Sequence, residues 1–240
     1  MHDKVVDIEQ CFYYFRENPI WMISEAQFQH ELDLIIANAV REDVGDGDHS
    51  SLACIPASAQ GRAKLLVKDE GIIAGVAFAQ QVFHYVDPQL KMEILMDDGS
   101  SIKYGDVVFY VEGSSQSILK AERLVLNAMQ RMSAIATKTQ DFVSLLDGTD
   151  TKILDTRKTT PGIRALEKWA VTIGGGENHR FALYDMIMLK DNHIDFAGGI
   201  TKAIQKTRDY LKEHGKDLKI IVEARNLDEV DEILRSDSLG

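Results

Sequence analysis

Five side chains able to bind anions, Arg157, Lys158, His179, Arg180 and Lys190, crowd the segment DTRKTTPGIRALEKWAVTIGGGENHRFALYDMIMLKDNH from Asp155 to His193. They stand beside glycines and at the ends of apolar runs, where side chains are usually aimed at a ligand. Arginine's planar fork suits a carboxylate or phosphate, whereas lysine acts as a compact point charge. Arg157 and Lys158 are adjacent, so they point different ways and can hold two anionic groups. The chain as a whole is acidic, with 38 Asp+Glu against 27 Lys+Arg and a net charge of −11. A basic group on that background points to a pocket for small, highly charged anions. The same balance leaves no basic face for nucleic acid or an anionic membrane.

Other residues that can do chemistry carry weaker signals. The run Gly174-Gly175-Gly176 before Glu177-Asn178-His179-Arg180 can bring backbone N–H groups close to a ligand, or can be a flexible turn. It is neither a dinucleotide fingerprint nor a lysine-threonine phosphate loop. His179 and His193 lack the spacing of a zinc site, and Asp191 two residues before His193 does not complete one. A magnesium ion bridged by phosphates and one or two carboxylates fits better, with Glu223 as the best-placed ligand. The acids from Glu42 to Asp48 miss the calcium-loop spacing and read as an acidic surface turn. Arg123, in AERLVLNAMQRMS beside Lys120 and Glu122, reads on its own as a surface or interface ion-pair residue. Cys11 and Cys54 match no metal spacing and read as incidental thiols of a reduced cytoplasmic protein.

The elements that must position these residues change character along the chain. Ser24 and Glu25 open a helical pattern with Phe28, Leu32, Ile35 and Ile36 on one face, reaching about Val40. Strands over 62–68 and 90–96 flank a helix over 75–86. A turn at Asp97-Asp98-Gly99 and a β run over 106–111 complete an α+β layer ending near Gly113. A long helix over 117–146 follows, with Leu124, Leu126, Met129, Ile135 and Val143 among its apolar positions.

Beyond it, strands over 152–155, 186–189 and 218–223 alternate with helices. The first helix starts at Thr160-Pro161, threonine as cap and proline in the first turn. The second spans 196–213 and the third 227–234. Such alternation implies parallel β/α units, which bind ligands at the carboxyl ends of their strands. Asp155 to Lys158, Lys190 to His193 and Glu223 to Arg225 follow three consecutive strands and would share one rim. Three units cannot close a barrel of about eight, and the sequence stops at Ser238-Leu239-Gly240, where another strand is due. The expectation is an α/β chain of two domains, 1–115 and 116–240, the second a partial barrel truncated at its C-terminus. No run of about 18 apolar residues predicts a membrane helix, and the mixed-charge MHDKVVDIEQCFYYF does not read as a signal peptide.

The motifs AERLVLNAMQRMSAIAT, DTRKTTPGIRALEKWAV, GGGENHR, LKDNHI and IIVEARNL occur in an order that resembles the quinolinate phosphoribosyltransferase family, the carboxylating nicotinate-nucleotide pyrophosphorylases of NAD biosynthesis. Weaker similarity reaches back through EDVGDGDHSS and the segment from Gly71 to Gly75. The resemblance implies an N-terminal open α/β sandwich, an irregular α/β barrel and a homodimer with shared active sites. It implies phosphoribosyl transfer from phosphoribosyl pyrophosphate to quinolinate with magnesium, giving nicotinate mononucleotide, carbon dioxide and pyrophosphate. Position by position, Arg157, His179, Arg180 and Lys190 match quinolinate-binding residues. Lys158 matches a lysine of the same rim, and Glu223 a carboxylate near the ribose and magnesium. Lys158, Lys190 and Glu223 are thereby the catalytic candidates. Arg123 matches the arginine supplied in trans, which displaces its reading as an ion-pair residue.

Two departures stand out. Ala182 occupies a position where the family usually has glycine. The family's later aspartate and two glycine-rich phosphate-binding segments would lie beyond residue 240. Two other readings remain: a non-catalytic or truncated dicarboxylate-binding relative, and a Schiff-base aldolase using Lys190, which would need an apolar pocket.

Overall fold

The computed structural model describes residues 23–237, in two compact units, one ending at His179 and one starting at Arg180. Cys11, the mixed-charge N-terminal stretch and Ser238-Leu239-Gly240 lie outside the described residues. Cys54 is an exposed free thiol. Among the described residues, no helix is long and apolar enough to cross a membrane.

The first unit opens with α1 (Glu25–Val44). The Ser24 hydroxyl accepts the Gln27 amide, and the Gln27 side chain accepts the Ser24 amide, a reciprocal cap that satisfies two otherwise orphaned donors. The expected face is the buried one, with Phe28, Leu32, Ile35 and Ile36 all inside. The acidic run expected as a turn begins inside the last turn of α1 and ends at Asp48, the N-cap of a short helix, α2 (His49–Cys54); the Asp48 side chain accepts the Ser51 amide at 3.1 Å. The local capping bond, invisible to charge counting, is what folds it.

Strands β1 (Gln60–Leu66), β5 (Val107–Ser114) and β3 (Lys91–Ile94) form an antiparallel sheet in the order β1-β5-β3, with an irregularity between Leu65 and Leu66. β2 (Gly71–Ile72) and β4 (Ser101–Ile102) make a second small ladder. Helix α3 (Val76–Val86) buries Phe78, Ala79, Val82 and Phe83, and Phe83 meets Phe109 of β5 edge-to-face at 6.1 Å. Its first amides, Val76 and Ala77, donate to the Asp98 carboxylate at 2.8 and 3.1 Å. A carboxylate there suits the positive end of the helix dipole, yet loss of hydration dominates and pushes Asp98 up to about 6.

Helix α4 (Ser115–Ser144) is the spine of this unit. Its buried stripe, Ile118, Ala121, Val125, Ala128, Met129, Met132, Ala136 and Thr139, keeps helical spacing and is rich in small residues that admit close neighbours. Ser133 and Thr137 accept the Ala74 and Ile72 amides at 2.9 Å each, tying α4 to the β2 segment. Helix α5 (Arg164–Ile173) lies along α4, and its Trp169 meets Phe28 of α1 edge-to-face at 5.6 Å.

Two local expectations fail here. The segment 152–155 is no strand: only an isolated parallel bridge joins Leu154 to Glu177. Nor does Thr160 cap a helix. Its amide and hydroxyl both donate to Glu167, at 2.9 and 2.7 Å, whereas an N-cap side chain must accept. Gly162, at φ +86°, makes a turn instead, and α5 starts only at Arg164.

The second unit pairs β6 (Ile187–Leu189) in parallel with β7 (Ile220–Val222), the expected β/α geometry. The helix expected over 196–213 is two helices, α6 (Asp191–Ala197) and α7 (Ile200–Glu213). Gly198 and Gly199, at φ +90° and +120°, break the chain between them, because such angles end a helix and suit only glycine. Helix α8 (Leu227–Asp237) closes the unit. Its core gathers Leu189, Ile194, Ile200, Ala203 and Ile204, with Ile187, Ile220, Val222 and Ile233 packed against it.

Candidate functional site

In the first unit, Arg157 and Lys158 occupy the loop between the Leu154 bridge and α5. The Arg157 guanidinium is partly buried, and its Nε is enclosed without a hydrogen-bond partner. Lys158 is exposed, and its ammonium makes no ion pair among the described residues. Arg123, exposed on α4, makes no ion pair with Glu122 or any other described residue. Its surface ion-pair reading therefore has no support in the geometry. Among the described residues Arg123, Arg157 and Lys158 make no ion pair, as is also true of surface lysines such as Lys64, Lys91 and Lys103.

What fixes the loop is a polar cluster that sequence reasoning missed. Asp155 does not face a rim: its side chain is 7 % exposed and paired with Lys168, itself 1 % exposed. The Asp155 carboxylate also accepts Asn178 Nδ2 at 2.6 Å and the His179 amide at 2.9 Å. Lys168 Nζ donates to the His179 carbonyl at 3.1 Å. Burial pushes the Asp155 carboxyl above its ordinary range, against the pull of Lys168 and the N–H donors. One turn-fraction away, Glu167 accepts Thr160 through both donors and Arg131 at 2.8–2.9 Å. Desolvation opposes ionisation there, but Thr160 and Arg131 together outweigh it and hold Glu167 below the usual carboxylate range. The structure buries every residue from Ala165 to Ala170, and charges on a helix buried all round must be paired, but that burial is not legible in the sequence RALEKWA.

The triple glycine is a packing element. A Cβ on Gly174 would lie 2.4 Å from the Ala136 carbonyl oxygen, and one on Gly176 would lie 2.8 Å from Val171 and 2.9 Å from Thr139. Gly174 and Gly176 let α5 and the following chain close onto α4, and only Gly175, at φ +86°, needs its backbone freedom.

In the second unit, Arg180 is buried, with its guanidinium turned to the Met186 carbonyl at a long 3.4 Å. The loop after it is folded by Asp185, which accepts the Phe181 and Ala182 amides at 2.6 and 2.7 Å. Ala182 sits in ordinary backbone; among the described residues no non-glycine has a positive φ, so glycine is not required. Lys190 and Glu223 follow β6 and β7, and their side chains meet at 3.0 Å, both about half exposed. The Lys190 amide donates to His193 Nδ1 at 2.9 Å, which turns the chain directly into α6. Two strands, not three, therefore form this rim, and it carries Lys190, Glu223 and an Arg225–Glu229 pair at 2.8 Å.

Lys190 lacks the apolar surroundings of a Schiff-base lysine: it is 45 % exposed against a carboxylate. No group of three or more His, Cys, Asp or Glu able to hold a metal occurs among the described residues. Glu223, the carboxylate expected to hold magnesium, is paired with Lys190 at 3.0 Å. Two surface hollows, of about 470 and 400 Å³, are lined by residues such as Ile102 and Asp106, and Thr201 and Arg235; neither is lined by a candidate residue.

The fold is mixed α/β, with Arg157 and Lys158 on a loop of the first unit and Lys190 beside Glu223 at the strand ends of the second. Residues 48–133 match the profile of the quinolinate phosphoribosyl transferase N-terminal domain, and residues 135–238 that of its C-terminal domain. A quinolinate phosphoribosyltransferase [decarboxylating] 1b of Nicotiana tabacum is 46% identical over 206 residues, covering 85% of this chain and 58% of its own. A probable nicotinate-nucleotide pyrophosphorylase [carboxylating] of Synechocystis is 39% identical over 90% of this chain and 69% of its own. The crystal structure of NadC from Streptococcus pyogenes matches with TM-score 0.78 and 37% identity, over 89% of this chain and 73% of that one. The chain belongs to the quinolinate phosphoribosyltransferase family. It spans just under six tenths of the tobacco relative.

Proposed function

We propose that the protein transfers the phosphoribosyl group of phosphoribosyl pyrophosphate to quinolinate and decarboxylates the product to nicotinate mononucleotide. The observation that carries this reading is Arg157, a guanidinium with an enclosed, unpartnered Nε and a free lysine beside it, in a chain of net charge −11. Family membership supports the same chemistry. Both substrates are anions that repel each other in water. Arg157, His179, Arg180 and Lys190 bind the quinolinate carboxylates, and Lys158 offsets phosphate charge.

The pyridine nitrogen attacks the anomeric carbon as pyrophosphate leaves, and Glu223 stabilises the positive charge that develops there. The ring nitrogen, now cationic, accepts the electron pair of the breaking C–CO2 bond, and a proton then replaces the lost carboxyl group. Cationic side chains grip the carboxylate that is retained. Glu223 would hold a magnesium ion together with the diphosphate, and that ion would supply charge neutralisation at the leaving group. The working form is a cytoplasmic homodimer in which Arg123 of one subunit serves the site of the other; the exposed, unpaired state of Arg123 supports this.

The test is release of carbon dioxide and pyrophosphate by the purified protein, with whatever residues its gene encodes beyond 240 included, each requiring both quinolinate and phosphoribosyl pyrophosphate. No turnover with both present would refute the proposal.

A further inference from the structure

The two buried charges on α5 hold the two ends of one loop. Lys168 grips Asp155, at the start of the Arg157–Lys158 loop, while Glu167, the residue before it, grips Thr160 at the far end through the backbone amide and the hydroxyl. Between those anchors stand Arg157, whose enclosed Nε has no hydrogen-bond partner, and Lys158, which makes no ion pair among the described residues. The same cluster takes hold of His179 by its main chain: its N–H donates to Asp155 at 2.9 Å and its carbonyl accepts from Lys168 at 3.1 Å. Asn178, 7 % exposed, ties Asp155 to the Lys168 carbonyl with one amide group, at 2.6 and 2.9 Å.

We infer that Glu167 and Lys168 are positioning residues, which clamp the Arg157–Lys158 loop and His179 in a ligand-ready conformation before any ligand arrives. A loop without these anchors would leave the Arg157 and Lys158 side chains free to move in solvent. Anchoring the backbone at both ends removes that freedom in advance and spares the ligand the cost of ordering the loop. The anchors themselves touch no ligand. Glu167 and Lys168 carry opposite charges, so the clamp adds no net charge to the basic cluster it supports.

The inference rests on the substrate reading only for the choice of ligand, and two measurements separate the two. Amide hydrogen exchange on the unaltered protein should find Thr160 and His179 protected well above the flanking loop; exchange at the rate of an unstructured chain overturns the clamp whatever the ligand. Glu167→Gln, which leaves one acceptor oxygen for the two Thr160 donors and removes the charge facing the half-exposed Arg131, should lower protection at Thr160 while α5 stays protected. Calorimetric titration with quinolinate, over the folded protein only, should then give a Kd raised about tenfold. A residue that merely stabilised the fold would lower the melting temperature and leave that Kd unchanged, and this result refutes the positioning role. Glu167→Asp, which keeps the carboxylate, should recover part of the affinity. If the unaltered protein shows the protected amides and does not bind quinolinate, the clamp stands and the substrate reading falls.

Discussion

Replacing Lys168 by methionine is the sharpest stability test the structure offers. Methionine matches the length of the aliphatic stem and leaves Asp155 as a buried carboxylate without its cation. Removing one member of a buried ion pair costs about 3–5 kcal/mol, because the remaining charge is stranded. The lost bond to the His179 carbonyl adds about 1 kcal/mol. Lys168→Met should therefore destabilise the first unit by about 4–6 kcal/mol, a large part of the ~5–15 kcal/mol of a typical domain. Urea unfolding followed by Trp169 fluorescence would read it, since Trp169 is buried beside Lys168. The double variant Asp155→Asn with Lys168→Met removes both charges and should regain about 2 kcal/mol. A loss below about 1 kcal/mol, or a double variant no better than the single one, would show that the pair is not the buried contact described here.

Arg157→Leu should leave stability unchanged or slightly raised, because it removes an enclosed donor with no partner, while quinolinate affinity falls about 100-fold; titration calorimetry beside a melting curve separates the two. Gly174→Ala should cost about 2–4 kcal/mol by denaturation, since its new methyl meets the Ala136 carbonyl and cannot move it aside. Lys190→Ala breaks only a half-exposed ion pair, so its stability should change by less than about 1 kcal/mol while turnover is lost. Asp98 titrates near 6 in the folded chain against 3.8 in the unfolded one, so its contribution to stability is fully present below 3.8 and is lost as pH rises through 6. Unfolding free energies measured from pH 4 to 7 should decline less in Asp98→Asn than in the parent, by at most about 3 kcal/mol.

Much of the fold could be read from local chemistry. The Ser24 cap and the Phe28–Ile36 face are set within one helix, and the parallel β6–β7 pair follows from alternation of apolar runs and helices. The errors arose where partners distant in sequence decide the outcome. Thr160 looks like a cap until Glu167 is seen to need donors. The helix expected to begin at 196 ignored Gly198-Gly199 and the turn that His193 imposes on Lys190. At the site, the cations were conspicuous because an acidic chain has few reasons to group them. Glu167 and Lys168 escaped notice because a charged pair in a helix reads as a solvated face unless its burial is known.

The contact between Gly174 and Ala136 bears on how this chain can vary over descent. The clash a side chain would make at 174 is with a main-chain oxygen, so no substitution at 136 can relieve it. That glycine is thus fixed independently of its neighbours, and what it preserves is the separation of two helices. The glycine run GGG and the basic residues around it are therefore separable traits. A descendant that kept GGG and lost Arg157 and Lys158 would inherit the architecture without the anion chemistry, and the glycines alone would still make it look like an enzyme.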